Sequence, residues 1–552
     1  MGTLFEKHRE LLAAAVAAAR SRSYWAAFPE TPSAKIYGET AKADGEAAFE
    51  AHLRNRFELP GHPADGTAGA EMSPYGGALE VRYPWAPASA LIDAVKTAMP
   101  AWAAAGAEAR VGICIEILKR LNARSFEIAN AVMKTTGQGF PMAFQAGGPH
   151  AQDRGLEAVA YAWEAMTRTP GTANWSKPAG KGAVLALHKR WRIVPRGVGL
   201  VIGCNTFPTW NSYPGLFASL VTGNSVIVKP HPSAILPLAI TVEVIRNVIS
   251  EEGLDPNVAL LAAEEPGGEV AKAFVGHPDI ALIDYTGSSA FGTWIRANAR
   301  AARVYSEEAG INPVVIAGTD NFRGMCANLA FSLALYSGQM CTAPQVLYVP
   351  SSGISTDEGY KGFEDVATGI AEAVDKLLSD PGRAGVICGA IASEATLKRV
   401  AEAVSLGRVV RASGPIEGMG SARTGTPLLL VIDANEPEVY NQEQFGPITF
   451  MVAVDTAEDG LARAVEGVRS KGAITAAVYA TDPVFLNAAA DAFTAVGANL
   501  SCNLIGDIFV NQSTAFSDYH ATGLNPAANA CFTDLAFVAS RFGVAAVRQL
   551  AA

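Results

Sequence analysis

From Gly197 onward the chain repeats a pattern that few folds satisfy. Short, unbroken apolar runs alternate with stretches of helical spacing. The first four runs are Gly197-Val198-Gly199-Leu200-Val201-Ile202-Gly203, Ser225-Val226-Ile227-Val228-Lys229-Pro230, Val258-Ala259-Leu260-Leu261-Ala262 and Ile280-Ala281-Leu282-Ile283-Asp284-Tyr285. Helical patterns over residues 236–250 and 267–275 separate them. Strands without polar alternation need cover on both faces, and strand–helix–strand succession makes neighbouring strands parallel. A second succession runs from Pro313 to about residue 500. Its strands include Val314-Val315-Ile316, Val346-Leu347-Tyr348-Val349, Leu428-Leu429-Leu430-Val431-Ile432 and Thr449-Phe450-Met451-Val452-Ala453-Val454, with helices over 362–379 and 394–405. The expected class is α/β, with mostly parallel sheets.

The flanks read differently. Residues 1–85 form a leader, helical over about 3–22, then punctuated by Pro60-Gly61-His62-Pro63 and Pro74-Tyr75-Gly76-Gly77. It is expected to pack on the rest of the chain, with an independent docking surface as the alternative. Residues 87–170 are helical in pattern, with Ser89 as candidate N-cap. Val111, Cys114, Ile115, Leu118 and Leu121 share one helix face. Residues 185–195 read as two extended pieces, and the tail from Ile508 opens with a strand-like Ile508-Phe509-Val510.

Composition narrows the function classes. A chain of 552 residues that is 49% hydrophobic holds ample core material for two to four units. A net charge of −10 argues against nucleic acid and anionic membranes as partners. The seven cysteines include no CxxC pair, which fits free thiols in a reducing compartment. Glu6, Lys7, Arg9 and Glu10 interrupt the N-terminal apolar stretch, so it reads as a surface helix more than a signal peptide. No apolar run reaches the roughly eighteen residues of a membrane span. A cytoplasmic location is expected.

HExxH, GKS/GKT P-loop, GxSxG and strand-linked GxGxxG motifs are all absent, and no metal is expected. Five stretches carry candidate chemistry. Gly338-Gln339-Met340-Cys341-Thr342-Ala343 presents a thiol near a strand end or helix start, a nucleophile or an inert core cysteine. Ile283 to Gly292 runs from a strand through Thr286-Gly287-Ser288 into a helix. That suits a phosphate, or an ordinary helix capped by Ser288 or Ser289. Glu307-Glu308-Ala309-Gly310-Ile311-Asn312-Pro313 offers either a solvated carboxylate pair or a cleft-facing general base with a raised pKa. In Gly203-Cys204-Asn205-Thr206-Phe207-Pro208, the Asn205 amide can stabilise an oxyanion or cap a helix. Glu443-Gln444-Phe445-Gly446-Pro447 is a charged turn before a strand, either solvated or facing a ligand.

Taken together, and in this order with Val228-Lys229-Pro230, these motifs resemble the aldehyde dehydrogenase superfamily over roughly residues 90–530. Glu307 and Cys341 stand 34 residues apart, as in that family. The resemblance implies two Rossmann-like parallel-sheet domains plus a β oligomerisation flap. Residues 86–310 would bind the cofactor, 311–505 would carry the nucleophile, and 172–195 with the tail 506–552 would form the flap of a homodimer or homotetramer. It implies Cys341 as nucleophile, Asn205 with the Cys341 N–H at the oxyanion, and Glu307 activating water. Lys229 and Ser233 would lie on the adenosine side, Gly287 and Ser288 at the pyrophosphate, and Glu443 and Phe445 at the nicotinamide ribose.

Some positions depart from the family pattern. Thr206 separates Asn205 from Phe207-Pro208, and Glu308, Ala309 and Ile311 alter the glutamate motif. Pro232 stands where NAD-preferring members often carry a glutamate, so NADP is expected as cofactor, with NAD as the other choice. The leader, Trp191 to Gly199, and the tail from Phe516 to Ala527 are similar to the ring-opening dehydrogenase type of bacterial phenylacetic acid degradation. That implies a semialdehyde substrate, in that type one linked to coenzyme A. Alternatives are a CoA-acylating dehydrogenase and a catalytically silent binding protein.

Overall fold

The computed structural model describes residues 3–308 and 310–551; Ala309 of the glutamate motif and the terminal residues Met1, Gly2 and Ala552 lie outside them. The leader is an integral layer of the molecule. Helix α1 (Thr3–Ser21) packs on α2 (Ala107–Ala123) so closely that a Cβ on Gly112 would stand 2.4 Å from the Phe5 backbone nitrogen. Phe5, Leu12, Phe28 and Phe57 share one buried core with Leu118, Leu216, Phe217 and Ile240. Burial of this kind stabilises by about 1.5–3 kcal/mol per large apolar side chain. Helix Ala88–Ala104 starts one residue before the expected cap: the N-cap position is Pro87, and Ser89 lies inside the first turn.

Helices α3 (Phe140–Gly147) and α4 (Pro149–Thr167) follow. The chain then leaves the body in a hairpin of β1 (Thr172–Pro178) and β2 (Val184–Pro195). β2 is one continuous strand where two pieces were expected, because overlapping ladders cover it, β1 over Val184–Arg190 and the C-terminal strand over Leu187–Pro195. Strands β3 (Val198–Ile202), β4 (Val226–Lys229), β5 (Ala259–Leu261), β6 (Ile280–Thr286) and β7 (Arg303–Glu307) form the first sheet, ordered β5-β4-β3-β6-β7 and wholly parallel. Helices α5 (Pro208–Val221), α6 (Leu236–Glu251) and α7 (Ser289–Asn298) connect its strands.

Helix α8 (Phe322–Ala334) makes the first crossover of the second sheet, between its first two strands. Its strands are β8 (Pro313–Ile316), β9 (Val346–Pro350), β10 (Arg408–Arg411), β11 (Leu428–Ile432), β12 (Ile448–Val454), β13 (Thr475–Tyr479) and β14 (Asn499–Cys502). Their order is β10-β11-β12-β9-β8-β13-β14, parallel except for the edge strand β10.

Ile508-Phe509-Val510 is a loop, not the expected strand. Asn328 donates to the Ile508 carbonyl at 2.7 Å and so takes an acceptor that a sheet ladder would need. The tail then crosses the molecule and ends in β15 (Phe542–Leu550), which pairs antiparallel with β2 to complete a three-stranded flap. Buried Arg541, just before β15, makes a two-pronged ion pair with Asp284 of β6 at 2.6 and 2.7 Å. No helix among the described residues is long and apolar enough to cross a membrane.

Candidate active site

Both sheets turn strand ends toward one site. The first presents the carboxyl ends of its parallel strands, where open α/β sheets bind ligands. Past β3 lies the Cys204–Phe207 loop; β4 ends at Lys229; β6 runs into Thr286-Gly287-Ser288; and β7 ends at Glu307. The second presents amino ends, with Asn312 just before β8, Cys341 before β9 and Glu443 before β12.

Cys341 sits in a turn that follows α8 and a short 3₁₀ segment, not at a helix start. Several side chains fix this turn. Asn312 donates to the Cys341 and Ala343 carbonyls at 2.8 and 3.0 Å, while its own oxygen accepts from the backbone N–H groups of Ile474 and Thr475. Buried Gln339 bonds Ala390 and Ala392. Gly338 has φ +63°, and a Cβ there would meet the Gly446 carbonyl at 2.6 Å, so the position requires glycine.

Around the thiol the chain gathers three reactive groups. His520 Nε2 lies 3.6 Å from Cys341 Sγ and 3.0 Å from Glu307 Oε1. Asn211, on the first turns of α5, donates to Glu307 Oε2 at 3.0 Å. Glu307 is fully buried. Burial pushes its pKa up, but His520, the Cys341 thiol and Asn211 outweigh that and hold it below the usual carboxylate range. The raised pKa expected of a buried general base is therefore not found. The thiol of Cys341 moves the other way: desolvation and then the Glu307 charge push it well above the usual thiol range. Glu308 is also buried and pairs with Arg296 of α7, so neither carboxylate is solvated.

Two cavities open on this cluster. One, of about 350 Å³, is lined mainly by polar residue types and includes Asn205, Thr206, Thr286, Gly287, Ser288, Glu307, Arg399, Glu443, Phe445 and Cys341. Ser288 caps α7 by accepting from the Phe291 N–H, so capping and cavity lining coincide in one residue. Glu443 is half-buried, and desolvation pushes its carboxyl up to about 7. Backbone N–H groups at a helix start, an open glycine turn and a carboxylate at the far wall fit a dinucleotide's phosphates and ribose. The other cavity, of about 340 Å³, is mostly apolar. Its walls include Met142 of α3, Phe207, Trp210 of α5, Phe331 of α8, Leu335 and Ile387, with Glu30 of the leader, and loop residues Asn511 to Thr514 and His520 of the tail. Cys341, Phe207 and Asn211 line both.

The structure thus brings together Cys341, Glu307, Asn205, Gly287, Ser288, Glu443 and Phe445. Lys229 and Ser233 do not line this cavity. Lys229 lies at the β4 end, and Ser233 bonds His231 nearby. Lys229 is buried in an ion pair with Glu264, from the loop beyond β5. Sequence reasoning missed Asn211, Glu264 and His520. Asn211 lies one turn beyond Phe207-Pro208, a signal that was available; Glu264 and His520 arrive through tertiary packing alone.

Known proteins share this arrangement to different depths. A profile of the Aldehyde dehydrogenase family matches residues 75–525. The lactaldehyde dehydrogenase of Escherichia coli (strain K12) is 25% identical over 451 residues, 78% of this chain and 84% of its relative. The NAD(+) benzaldehyde dehydrogenase of Pseudomonas putida is 26% identical over 384 residues, 67% of this chain and 72% of that one. A crystal structure described as an NAD-dependent aldehyde dehydrogenase from Burkholderia multivorans superposes with a TM-score of 0.98 at 53% identity, covering 100% of this chain and 99% of that one. With the cysteine and glutamate of its nucleophile motifs at one junction and a family match over most of its length, the chain is an oxidoreductase of the aldehyde dehydrogenase family.

Proposed function

We propose that the protein oxidises an apolar or aryl-bearing aldehyde to its carboxylic acid through a covalent bond to Cys341. The observation that carries this reading is that one thiol forms the wall of both the apolar and the polar cavity. An aldehyde held in the first meets the sulfur on the side opposite a dinucleotide held in the second. Cys341 sulfur attacks the carbonyl carbon and gives a thiohemiacetal, whose oxyanion is stabilised by the Asn205 amide and the Cys341 N–H. The bound dinucleotide supplies the hydride acceptor. Cys341 is left as a thioester, and Glu307 takes a proton from the water that hydrolyses it. A buried carboxylate beside the thiol favours water over coenzyme A as the acyl acceptor.

In this reading Gly287 and Ser288 take the pyrophosphate, Glu443 and Phe445 the nicotinamide ribose, and Lys229 and Ser233 the adenosine side. On that side the paired Glu264 offers a carboxylate that Pro232 does not. A buried carboxylate accepts a ribose hydroxyl and repels a phosphate, so we read NAD as favoured over NADP despite Pro232. Aromatic walls at Phe207, Trp210 and Phe331, with the resemblance of leader and tail noted above, support a semialdehyde of aerobic phenylacetate breakdown as the substrate class. Exposed Val184, Leu185, Val194, Val544, Val547 and Leu550 on the flap support assembly into a homo-oligomer through that flap.

The test is a panel of aliphatic, aryl and CoA-linked semialdehydes, each run with NAD and NADP, on the native protein and on Cys341→Ser. Aryl or semialdehyde turnover with NAD, lost by at least about 10³-fold in Cys341→Ser, is the expected result. Full oxidation by Cys341→Ser would reject the covalent route.

A further inference from the structure

His520 has no counterpart among the motifs that identify the family, yet its Nε2 makes both of its close polar contacts with reacting groups. A histidine serving only packing is tied by structural partners at its ring nitrogens. Here Nδ1 is buried and meets no partner among the described residues. The ring is held edge-to-face on Trp210 at 4.6 Å, and the His520 carbonyl accepts from the Phe532 N–H, so both its plane and its backbone are fixed.

We propose that His520 is the proton acceptor that arms Cys341, with Glu307 stabilising the imidazolium that forms. The inference deepens the aldehyde-oxidation reading and rests on it. In the step, the S–H bond breaks, its electron pair stays on sulfur, and an N–H bond forms at Nε2. Neutral thiol and neutral imidazole become thiolate and imidazolium, with no change of oxidation state. The new Nε2–H then donates to Glu307 Oε1 across the 3.0 Å contact between them.

The charge order favours this route. Direct transfer to Glu307 would move a proton from a thiol of ordinary pKa about 8.5 to a carboxylate of about 4.3; imidazole at about 6.5 halves that gap. It also sets a positive charge between two negative ones, where direct transfer would leave the thiolate beside a neutral carboxylic acid. The other titratable groups facing the pair are Cys204 and Glu443 toward the sulfur, and His150 of α4 toward the ring. Burial, with the charge of nearby Arg154, lowers His150 to about 3, which leaves it neutral; Arg154 itself is paired with Glu157.

The test is alkylation of Cys341 by iodoacetamide between pH 5 and 9.5, followed by mass spectrometry of the Cys341 peptide, with no aldehyde present. Its outcome therefore does not depend on the dehydrogenase reading. The native protein should show a low-pH limb with its inflection in the imidazole range. His520→Gln should lose that limb and react at least about 10-fold more slowly at pH 7. A native profile with its only inflection above about pH 8 would overturn the proposal, as would native-like alkylation in His520→Gln. A limb lost in Glu307→Gln but kept in His520→Gln would assign the proton to the carboxylate instead. Should His520→Gln not fold, the native profile alone decides.

Discussion

The polar and apolar cavities that share Cys341 are assembled in contrasting ways. The polar one collects strand ends. Asn205, Gly287, Ser288 and Glu307 each lie within a few residues of a β-strand whose register the sheet fixes, so their spacing is set by 4.8 Å steps between neighbours. The apolar one collects pieces from the whole chain: Glu30 of the leader, Met142 of α3, Phe331 of α8 and the 511–520 loop of the tail. No sheet relates these pieces; they meet because helices and loops pack. On the proposed reading, the chemistry is anchored where the fold leaves least freedom, and the choice of aldehyde where connecting segments can vary.

That contrast can be broken or sharpened by substitution. The largest effect is expected at the junction itself. Glu307→Gln keeps the size of the side chain but removes the base, and should lower kcat by about 10²–10³-fold with every aldehyde in a panel. A loss confined to some aldehydes would move Glu307 out of the shared machinery and into the apolar cavity's selectivity.

Met142→Glu places a charge on the half-buried apolar wall. It should reduce kcat/KM for aryl aldehydes by about 10–100-fold while leaving the KM for NAD unchanged. A matching rise in the KM for NAD would show that the cavities are not separable.

Glu264→Gln removes the carboxylate from Lys229. The ratio of kcat/KM with NAD to that with NADP should fall about 10-fold. An unchanged ratio would return the discrimination to the Pro232 position.

The smallest effect on turnover is expected where the leader is tied to the cofactor side. Glu71 accepts from the N–H groups of Ile235 and Leu236 at the start of α6 and from the Tyr83 hydroxyl. Burial pushes its carboxyl up to about 7. The folded state then holds this proton more tightly than the unfolded chain does. Its contribution to stability is greatest below about pH 4.5 and falls as pH rises through about 7. Glu71→Gln cannot titrate, so the decline in Tm between pH 5 and 8 should be shallower than in the native protein, with kcat unchanged. Parallel slopes in the two proteins would mean that Glu71 is already ionised in the fold.

The sequence alone reaches much of the polar cavity and little of the apolar one. Apolar runs such as Val226-Ile227-Val228 declare covered strands, and the loops at their ends are then placed to within a residue or two. Cys341, Glu307 and Glu443 were legible for that reason. His520 was not, because it lies 179 residues from Cys341 and reaches it through a tail without periodicity. The low pKa of Glu307 was equally hidden, since it depends on His520 and Asn211 and not on its own motif. Local pattern also misled where tertiary partners overrode it. Ile508 to Val510 has the composition of a strand, but Asn328 claims its backbone. Residues 185–195 look interrupted, but ladders on both sides hold them straight.

The tail has one further consequence, in time rather than in space. A chain emerging from the ribosome can complete the first sheet, and then the strands around Cys341, before residues 511–520 exist. Until they do, the thiol has neither His520 beside it nor the 511–514 wall of its cavity. The same segment then runs on to lock Arg541 onto Asp284 and to seat β15 in the flap. Nucleophile, binding wall and flap are thus finished together, last, by one stretch of chain.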